Sequence, residues 1–383
     1  MLLRDLVEAM ETIAPLEAAE PWDRCGLQAG DPDREVEGPV LLTIDLTEQV
    51  LVEARAIGAG AIIAYHPPIW EALTTLSNAT PGERIIRTAV EHKIAIYSPH
   101  TALDAARDGL TDWICEGLSA PVGSVRAGEI AGDCRALKPA AAKPTGREVK
   151  IITFVPEAAV DGVRNALATA GAGGLGNYRV CSFSTPGEGT FLPQDGSNPA
   201  IGQVGRLERV NERRLEMVCS RASLPLAIET LRQFHPYEEP AFDIVELVPE
   251  PQRRIGAGRR LVLDQPATVA ELAERLKDHL GRARVRVGIL GSDRPVSVVG
   301  VVAGAGEDML DDAVREGCEV LVTGEMRHHS VLRALHAGVQ VILAGHTNTE
   351  RGYLPRLAAR LGELTEGADL RVSQADRDVM QRV

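Results

Sequence analysis

Strand-like and helix-like segments alternate at both ends of this 383-residue chain, and this alternation limits the possible folds more than any other feature. The apolar runs are GPVLLTIDL, AIIAYH and KIAIYSPH near the N-terminus, and PVSVVGVVAGAG, CEVLVTGE and VQVILAGH near the C-terminus. Amphipathic segments such as EQVLVEARAIGA and EDMLDDAVREG separate them. Strands separated by helices predict parallel sheets with crossover connections. We therefore expect an α/β body built from both chain ends.

The middle of the chain follows a different pattern. From VKIITFVP to about Pro249 the order is strand, helix, glycine loop, strands, helix and strand, which predicts a small ferredoxin-like α+β domain. Its insertion STPGEGTFLPQDGSNPAIGQVG is rich in glycine and proline and is expected to form a surface loop or hairpin arm. The preceding CRALKPAAAKPTGREVK has the composition of a linker. We assign residues 1–137 and 250–383 to the body and 148–249 to the inserted domain.

Composition and charge exclude several classes of function. The formal net charge is −13 and aromatic residues make up 3%, so we expect neither general nucleic-acid binding nor attachment to an anionic membrane. The N-terminal MLLRDLVEAMETIAP has acids within an amphipathic helix pattern, unlike a signal peptide, and no apolar run is long enough for a membrane span. The six cysteines are scattered without a C-x-x-C pair, which is typical of free thiols in a cytoplasmic protein.

Histidines and carboxylates are concentrated where predicted strands end. Five of the nine histidines lie in four segments, AYHPP, SPHTALD, TGEMRHH and AGHTNTE. The candidate residues in them are His66, His100, Asp104, Glu325, His328, His329, His346 and Glu350. Ligands in α/β proteins bind at the carboxyl ends of the strands, so these side chains are expected to lie close together. GAGGLG, in contrast, follows a helix, and we expect no dinucleotide site there.

The spacing of these residues suits a metal site. His100 and Asp104 are four residues apart, as are His346 and Glu350, and this spacing places both members of a pair on one helix face. Imidazoles and carboxylates are ligands for Zn²⁺, Fe²⁺, Mn²⁺ and Co²⁺, and two carboxylates could bridge two ions. The alternative is that the histidines are structural, and that His328 and His329 contact only solvent.

Several longer motifs occur together in an order that resembles one known family. They are WDRCGLQAGD, YHPPIW, YSPHTALDAARDGLTDWICEGL, FHPYEEPAFDIVEL, GEMRHH and AGHTNTERGYL. The chain resembles the Ngg-interacting-factor-three-like family, whose bacterial members are called GTP cyclohydrolase I type two homologs or dinuclear metal-centre proteins. The resemblance extends over about residues 1–360. It implies an α/β body that holds two neighbouring divalent ions, an inserted domain similar to PII and CutA, and a toroidal homohexamer.

The resemblance also implies which residues bind metal. The matching positions are His66, Asp104, His346 and Glu350. The resemblance implies that Asp104 and His66 bind one ion, that His346 binds the other, and that Glu350 bridges or touches both. Zinc is the expected metal, with iron, manganese and cobalt as alternatives. Many bacterial relatives have two successive histidines where this chain has Tyr65 and His66, so a ligand of the second ion is missing. Tyr65 as a phenolate, His100, His328 or His329 would replace it, or the second site is weak.

Two functions follow from this reading. The first is a metal-dependent hydrolase for a small nucleotide-like substrate, with GTP ring opening as the family label suggests, and with Glu325 or a neighbouring histidine moving the proton. The second is a non-enzymatic protein for metal binding and delivery, or a regulatory scaffold that uses the inserted domain.

Overall fold

The computed structural model describes residues 1–121, 124, 126, 128–140, 146–248, 253–281 and 285–378. Contacts divide the chain into two compact units, Met1–Ala141 with Gln252–Val383, and Ala142–Pro251. We call them the body and the inserted unit. None of the helices formed by the described residues has the length and apolar character needed to cross a membrane.

The helices and strands have the following bounds. The helices are α1 Leu3–Ile13, α2 Glu48–Ala56, α3 Pro81–Glu91, α4 His100–Ala105, α5 Leu110–Ser119, α6 Val160–Thr169, α7 Leu224–Phe234, α8 Val269–Leu280, α9 Leu310–Arg315, α10 His328–His336, α11 Asn348–Arg351 and α12 Leu354–Leu364. The strands are β1 Gly26–Ala29, β2 Val40–Thr43, β3 Ala61–Ala64, β4 Ala95–Ser98, β5 Asp133–Pro139, β6 Val149–Pro156, β7 Phe183–Phe191, β8 Glu208–Cys219, β9 Phe242–Glu246, β10 Gly256–Ala267, β11 Arg286–Gly288, β12 Val296–Ala305, β13 Val320–Glu325, β14 Gln340–Leu343 and β15 Leu370–Val372.

The first sheet of the body has the strand order β1-β4-β3-β2-β15. Strands β15, β2, β3 and β4 are parallel, with Leu41 opposite Ile62 and Ile62 opposite Ile96, and β1 is antiparallel to β4. Every residue of β2, β3 and β4 is buried. Such continuous apolar strands are typical of a parallel sheet covered on both faces.

The second sheet of the body has the order β11-β14-β13-β12-β10-β5. Its central strands β12, β13 and β14 are parallel, and β11, β10 and β5 are antiparallel to their neighbours. One hydrophobic core contains residues of both sheets, among them Ile63 and Val301, together with residues of helices α1, α5, α8 and α12. The carboxyl ends of strands from both sheets can therefore contribute to one site.

The prediction of a linker at CRALKPAAAKPTGREVK is wrong for the first part of this segment, because Asp133–Pro139 forms the edge strand β5. Only Ala136 and Leu137 of β5 are buried, so its apolar pattern is too short to recognise. Its partner β10 was also missed, since Arg259 and Arg260 interrupt the apolar run. Part of the predicted linker, residues 141–145, lies outside the described residues.

The inserted unit has the element order β6-α6-β7-β8-α7-β9 and a four-stranded antiparallel sheet ordered β7-β8-β6-β9. Alternate residues such as Ile151, Val155, Leu215 and Met217 form its core with α6 and α7. This is the ferredoxin-like arrangement, and the predicted hairpin arm is the β7–β8 pair. The expected α/β body with an inserted α+β domain is thus confirmed, and the likeness to PII and CutA stays a prediction.

Candidate metal centre

Strand ends from both sheets of the body meet at one cavity of about 730 Å³. The first sheet contributes Tyr65 and His66, which directly follow β3, and His100 and Asp104, which lie on α4 just after β4. The second sheet contributes His346 and Glu350, which follow β14. The prolines after His66 cannot continue strand pairing, so the chain leaves the sheet at this point.

Three of these side chains form a cluster that could hold a metal ion. One ligand atom each from His66, His346 and Glu350 lie within 4.8 Å of one another. Glu350 lies between the two imidazoles, with Oε1 3.3 Å from Nε2 of His346 and Oε2 3.7 Å from Nε2 of His66. The predicted i to i+4 pairing of His346 and Glu350 is therefore present in the structure.

A second carboxylate orients each imidazole of the cluster. Nδ1 of His66 lies 2.9 Å from Oδ1 of Asp45, and Nδ1 of His346 lies 2.9 Å from Oε1 of Glu325. Because a carboxylate accepts the Nδ1–H hydrogen bond, Nε2 of each ring is left free to face Glu350. Carboxylate–histidine pairs of this kind are the usual support of histidine metal ligands.

The residues present fit a divalent cation. The Glu350 side chain is only 2% exposed, and its Oε2 atom is buried without a hydrogen-bond partner among the described residues. A buried carboxylate oxygen without a partner is unfavourable unless a cation lies beside it. The hydrogen bond from His346 to Glu350 raises the pKa of His346 to about 9, so in the metal-free protein a proton supplies the positive charge there. Two imidazole nitrogens and a carboxylate are a donor set suited to zinc, iron, manganese or cobalt.

Gly304 leaves space for this cluster. It lies near the end of β12 with a φ of +58°, and a Cβ atom there would come within 2.8 Å of Glu350 Oε1 and 3.0 Å of His346 Nε2. Its backbone is held by Thr349, whose Oγ1 accepts the Gly304 N–H at 2.9 Å, and by Thr323, whose hydroxyl donates to the Gly304 carbonyl at 3.0 Å. A side chain at this position would enter the space beside the ligand atoms.

Asp104 lines the same cavity but lies outside the three-residue cluster. Burial raises the pKa of its carboxyl to about 6, although the hydrogen bond from Tyr65 opposes this shift. The Tyr65 hydroxyl donates to Asp104 Oδ1 at 2.7 Å, and burial raises the pKa of Tyr65 well above its usual value. In the metal-free protein Tyr65 is therefore a neutral hydrogen-bond donor that orients Asp104.

His100 also lines the cavity and has a carboxylate partner of its own. Its Nδ1 lies 2.8 Å from Oδ1 of Asp23, and its ring centroid is 5.3 Å from that of His66. Asp23 in turn accepts hydrogen bonds from the backbone N–H and the hydroxyl of Thr101. The hydrogen bond to His100 and the other contacts lower the pKa of Asp23 although burial opposes this.

The remaining predicted residues lie at the edge of the site or away from it. Glu325 contacts the side of His346 that faces away from Glu350, and His328 and His329 are exposed at the start of α10 and do not line the cavity. Their predicted roles in catalysis and metal binding stay predictions. Sequence reasoning missed Asp45 and Asp23. Asp45 follows β2, so the search of strand ends would have found it had it included carboxylates without a histidine nearby.

The fold and the site define an α/β protein in which strand ends bring two imidazoles and a buried carboxylate together, in an arrangement that could hold a metal ion. Comparison with a sequence profile identifies the family. The chain belongs to the Duf34/NIF3 (NGG1p interacting factor 3) family, whose profile matches residues 1–378. The family resemblance expected from the motifs is thereby confirmed.

Individual relatives cover almost the whole chain. A Bacillus subtilis (strain 168) protein is 33% identical over 376 residues, which are 97% of this chain and 96% of the relative. A Mycobacterium tuberculosis (strain H37Rv) protein is 33% identical over 329 residues, 85% of this chain and 82% of the relative. Both bear the name GTP cyclohydrolase 1 type 2 homolog.

Solved structures agree with this assignment. A Bacillus cereus protein related to NIF3 is 31% identical with a TM-score of 0.66, and a Staphylococcus aureus protein is 26% identical with a TM-score of 0.70. Each comparison covers 100% of this chain and 99% of the other. HcgD from Methanocaldococcus jannaschii, 17% identical with a TM-score of 0.52, shares the fold.

Proposed function

We propose that this protein is a metal-dependent hydrolase that acts on a small nucleotide-like substrate. The observation that carries the proposal is the buried Glu350 carboxylate between His66 and His346, at a cavity of about 730 Å³. Cavities of this size are typical of sites for small molecules. The nucleotide-like substrate is suggested by the name of the relatives, GTP cyclohydrolase 1 type 2 homolog.

The chain supplies the ligands and their orientation. Nε2 of His66, Nε2 of His346 and the Glu350 carboxylate would hold a first ion, and we propose that Asp104, oriented by Tyr65, belongs to a second. Divalent ions held there would polarise the substrate and lower the pKa of water, with zinc as our proposed metal. Glu350 is the buried ligand of this set, whereas the side chains of His66 and His346 are partly exposed to the cavity.

A hydrolase also needs a group that moves a proton. Of the two candidates from the sequence, Glu325 contacts the outer side of His346, so its geometry favours a role in orienting that ring. His100 lines the cavity, and Asp23 binds its Nδ1, which leaves Nε2 available to a substrate. The geometry therefore supports His100 better than Glu325 in the proton-transfer role.

Turnover measurements with matched variants test this proposal. The wild-type protein is reconstituted with zinc, manganese, iron or cobalt and assayed with guanine and adenine nucleosides and nucleotides, phosphoesters and pterin precursors. We expect turnover that stops on chelation and in Glu350→Gln, and that persists in Glu363→Gln, an exposed glutamate on α12. Bound metal without turnover of any compound would contradict the hydrolase and support metal binding and delivery.

We also propose that the protein is a cytoplasmic homohexamer, which rests on the family resemblance. Light scattering should then give about six times the 41.0 kDa chain mass, and a monomer would contradict this assembly.

A further inference from the structure

Two exposed tryptophans lie at the cavity of the candidate metal centre. The chain has only three tryptophans. Trp113 is buried and packs against His279 and Tyr353. Trp22 and Trp70, in contrast, are 57% and 52% exposed, and both line the cavity. A single exposed aromatic residue needs no explanation, but two that meet at a cavity lined by candidate metal ligands indicate a binding surface.

The two indoles form a continuous aromatic wall that leads to the metal ligands. The ring centroids of Trp22 and Trp70 are 5.8 Å apart at an angle of 61°. Each contacts the His100 ring edge-to-face, at 6.1 Å for Trp22 and 5.8 Å for Trp70. His100 lies 5.3 Å from His66. A planar ring of a ligand that stacks on either indole would therefore lie near His100 and, beyond it, near the metal ligand His66.

The backbone that carries both indoles is held in place before a ligand arrives. Trp22 precedes Asp23, whose side chain is fully buried and accepts hydrogen bonds from His100 and Thr101. Trp70 follows Ile69, which packs against the hydrophobic core beneath the first sheet. Because the residue next to each tryptophan is anchored, little backbone entropy is lost when a ring binds.

The charged side chains that line the cavity away from the metal centre favour a ligand without a polyphosphate. Apart from the candidate metal centre and its supporting residues, the charged residues that line the cavity are Glu20, Lys138, Asp308 and Asp312. The one base among them, Lys138, is 3.0 Å from Glu20 and already ion-paired with it. Asp312 is likewise ion-paired, with Arg315. A triphosphate that extends away from the metal centre toward Asp308 would meet like charge, whereas a neutral nucleoside or free base would not.

We propose that Trp22 and Trp70 select the substrate by stacking on a planar heterocycle, and that the preferred ligand is a nucleoside or free base rather than a nucleoside triphosphate. This inference rests on the proposed function in that it treats the cavity as the substrate site. It adds that the heterocycle is the part of the substrate that is recognised, and that Trp22 and Trp70 recognise it.

Equilibrium dialysis of the zinc-loaded protein with guanosine, GTP and ribose tests the proposal. We expect guanosine to bind more tightly than GTP, and ribose to bind least. Loss of one stacked base contact typically raises the Kd about 5- to 150-fold. We therefore expect Trp70→Leu and Trp22→Leu each to raise the Kd for guanosine by about this factor. Trp70→Phe keeps a ring and should restore most of the binding. Tyr178→Leu removes an exposed ring of the inserted unit and should change nothing.

Three results would overturn the inference. They are equal guanosine binding in the tryptophan variants and the wild type, tighter binding of GTP than of guanosine, and no heterocycle binding at all.

Acrylamide quenching of tryptophan fluorescence without ligand provides a further test. Indoles that become shielded from acrylamide as the protein concentration rises would indicate that a second copy covers them, and this would contradict the inference. Binding without turnover would contradict only the hydrolase, and turnover unaffected by the tryptophan variants would contradict only the aromatic wall.

Discussion

Gly304→Ala tests whether the space beside His346 and Glu350 is used by a metal ion. The added Cβ would lie 2.8 Å from Glu350 Oε1 and 3.0 Å from His346 Nε2, closer than such atoms normally approach. The backbone at Gly304 is held by two hydrogen bonds, and the Glu350 side chain is 2% exposed, so the ligand atoms themselves must shift.

The size of the effect follows from this geometry. A change that displaces or misorients metal ligands typically lowers affinity 10- to 100-fold, or by about 1.4–2.7 kcal/mol. The left-handed backbone at Gly304 adds about 1–2 kcal/mol of strain to the folded protein for any L-residue. Gly281→Ala separates the two effects, because Gly281 has a φ of +60° but nothing within 4 Å of an added Cβ.

Competition with a chromophoric chelator gives the zinc affinity of each variant, and urea denaturation gives its stability. We expect both variants to lose stability through backbone strain, and Gly304→Ala alone to lose zinc affinity. Equal zinc affinities in Gly304→Ala and Gly281→Ala would refute the placement of the ion beside Gly304.

Three further predictions concern residues around and away from the centre. Arg259→Met should lower the free energy of unfolding by about 3–5 kcal/mol. It removes the guanidinium that pairs with the buried Asp112 carboxylate and donates to the carbonyls of Ala105 and Ala106. Tyr65→Phe should lower metal affinity about 10-fold in chelator competition, because it removes the hydrogen bond that orients Asp104. Burial lowers the pKa of His235, so its contribution to stability should be present above about pH 6.5 and be lost as pH falls through the lower folded pKa.

Each of these has a control. Arg371→Met breaks an exposed pair with Asp369 and should change stability by less than about 1 kcal/mol; a similar loss in both arginine variants would contradict the first prediction. Unchanged affinity in Tyr65→Phe would contradict the second. His235 Nδ1 accepts the Tyr237 N–H at 3.1 Å, so protonation breaks this bond, and acid sensitivity that persists in His235→Gln would contradict the third.

Local patterns were sufficient to predict that the three residues of the candidate cluster lie close together. His66, His346 and Glu350 each follow a buried parallel strand, and the carboxyl ends of such strands are where ligand groups collect. The i to i+4 spacing then paired His346 with Glu350. The proximity of these three side chains could be predicted because both rules depend on the backbone close to each residue.

Features that depend on distant pairing were not recognisable. Asp23 and His100 are 77 residues apart, and no local pattern links them. Strand β5 pairs with β10, which follows it in the sequence only after the inserted unit. Only Ala136 and Leu137 of β5 are buried, and two apolar residues do not distinguish a strand from a loop. The roles of Asp23, β5 and β10 became visible only when tertiary contacts were known.

The metal content of the purified protein tests the central claim most directly. The wild type, His66→Ala and Glu350→Ala are loaded with zinc, manganese, iron or cobalt, dialysed, and analysed by inductively coupled plasma mass spectrometry. The account predicts about one or two equivalents per chain in the wild type and a loss of the bound ion in both variants. A wild type that retains no metal, or a Glu350→Ala protein that retains as much as the wild type, would contradict it.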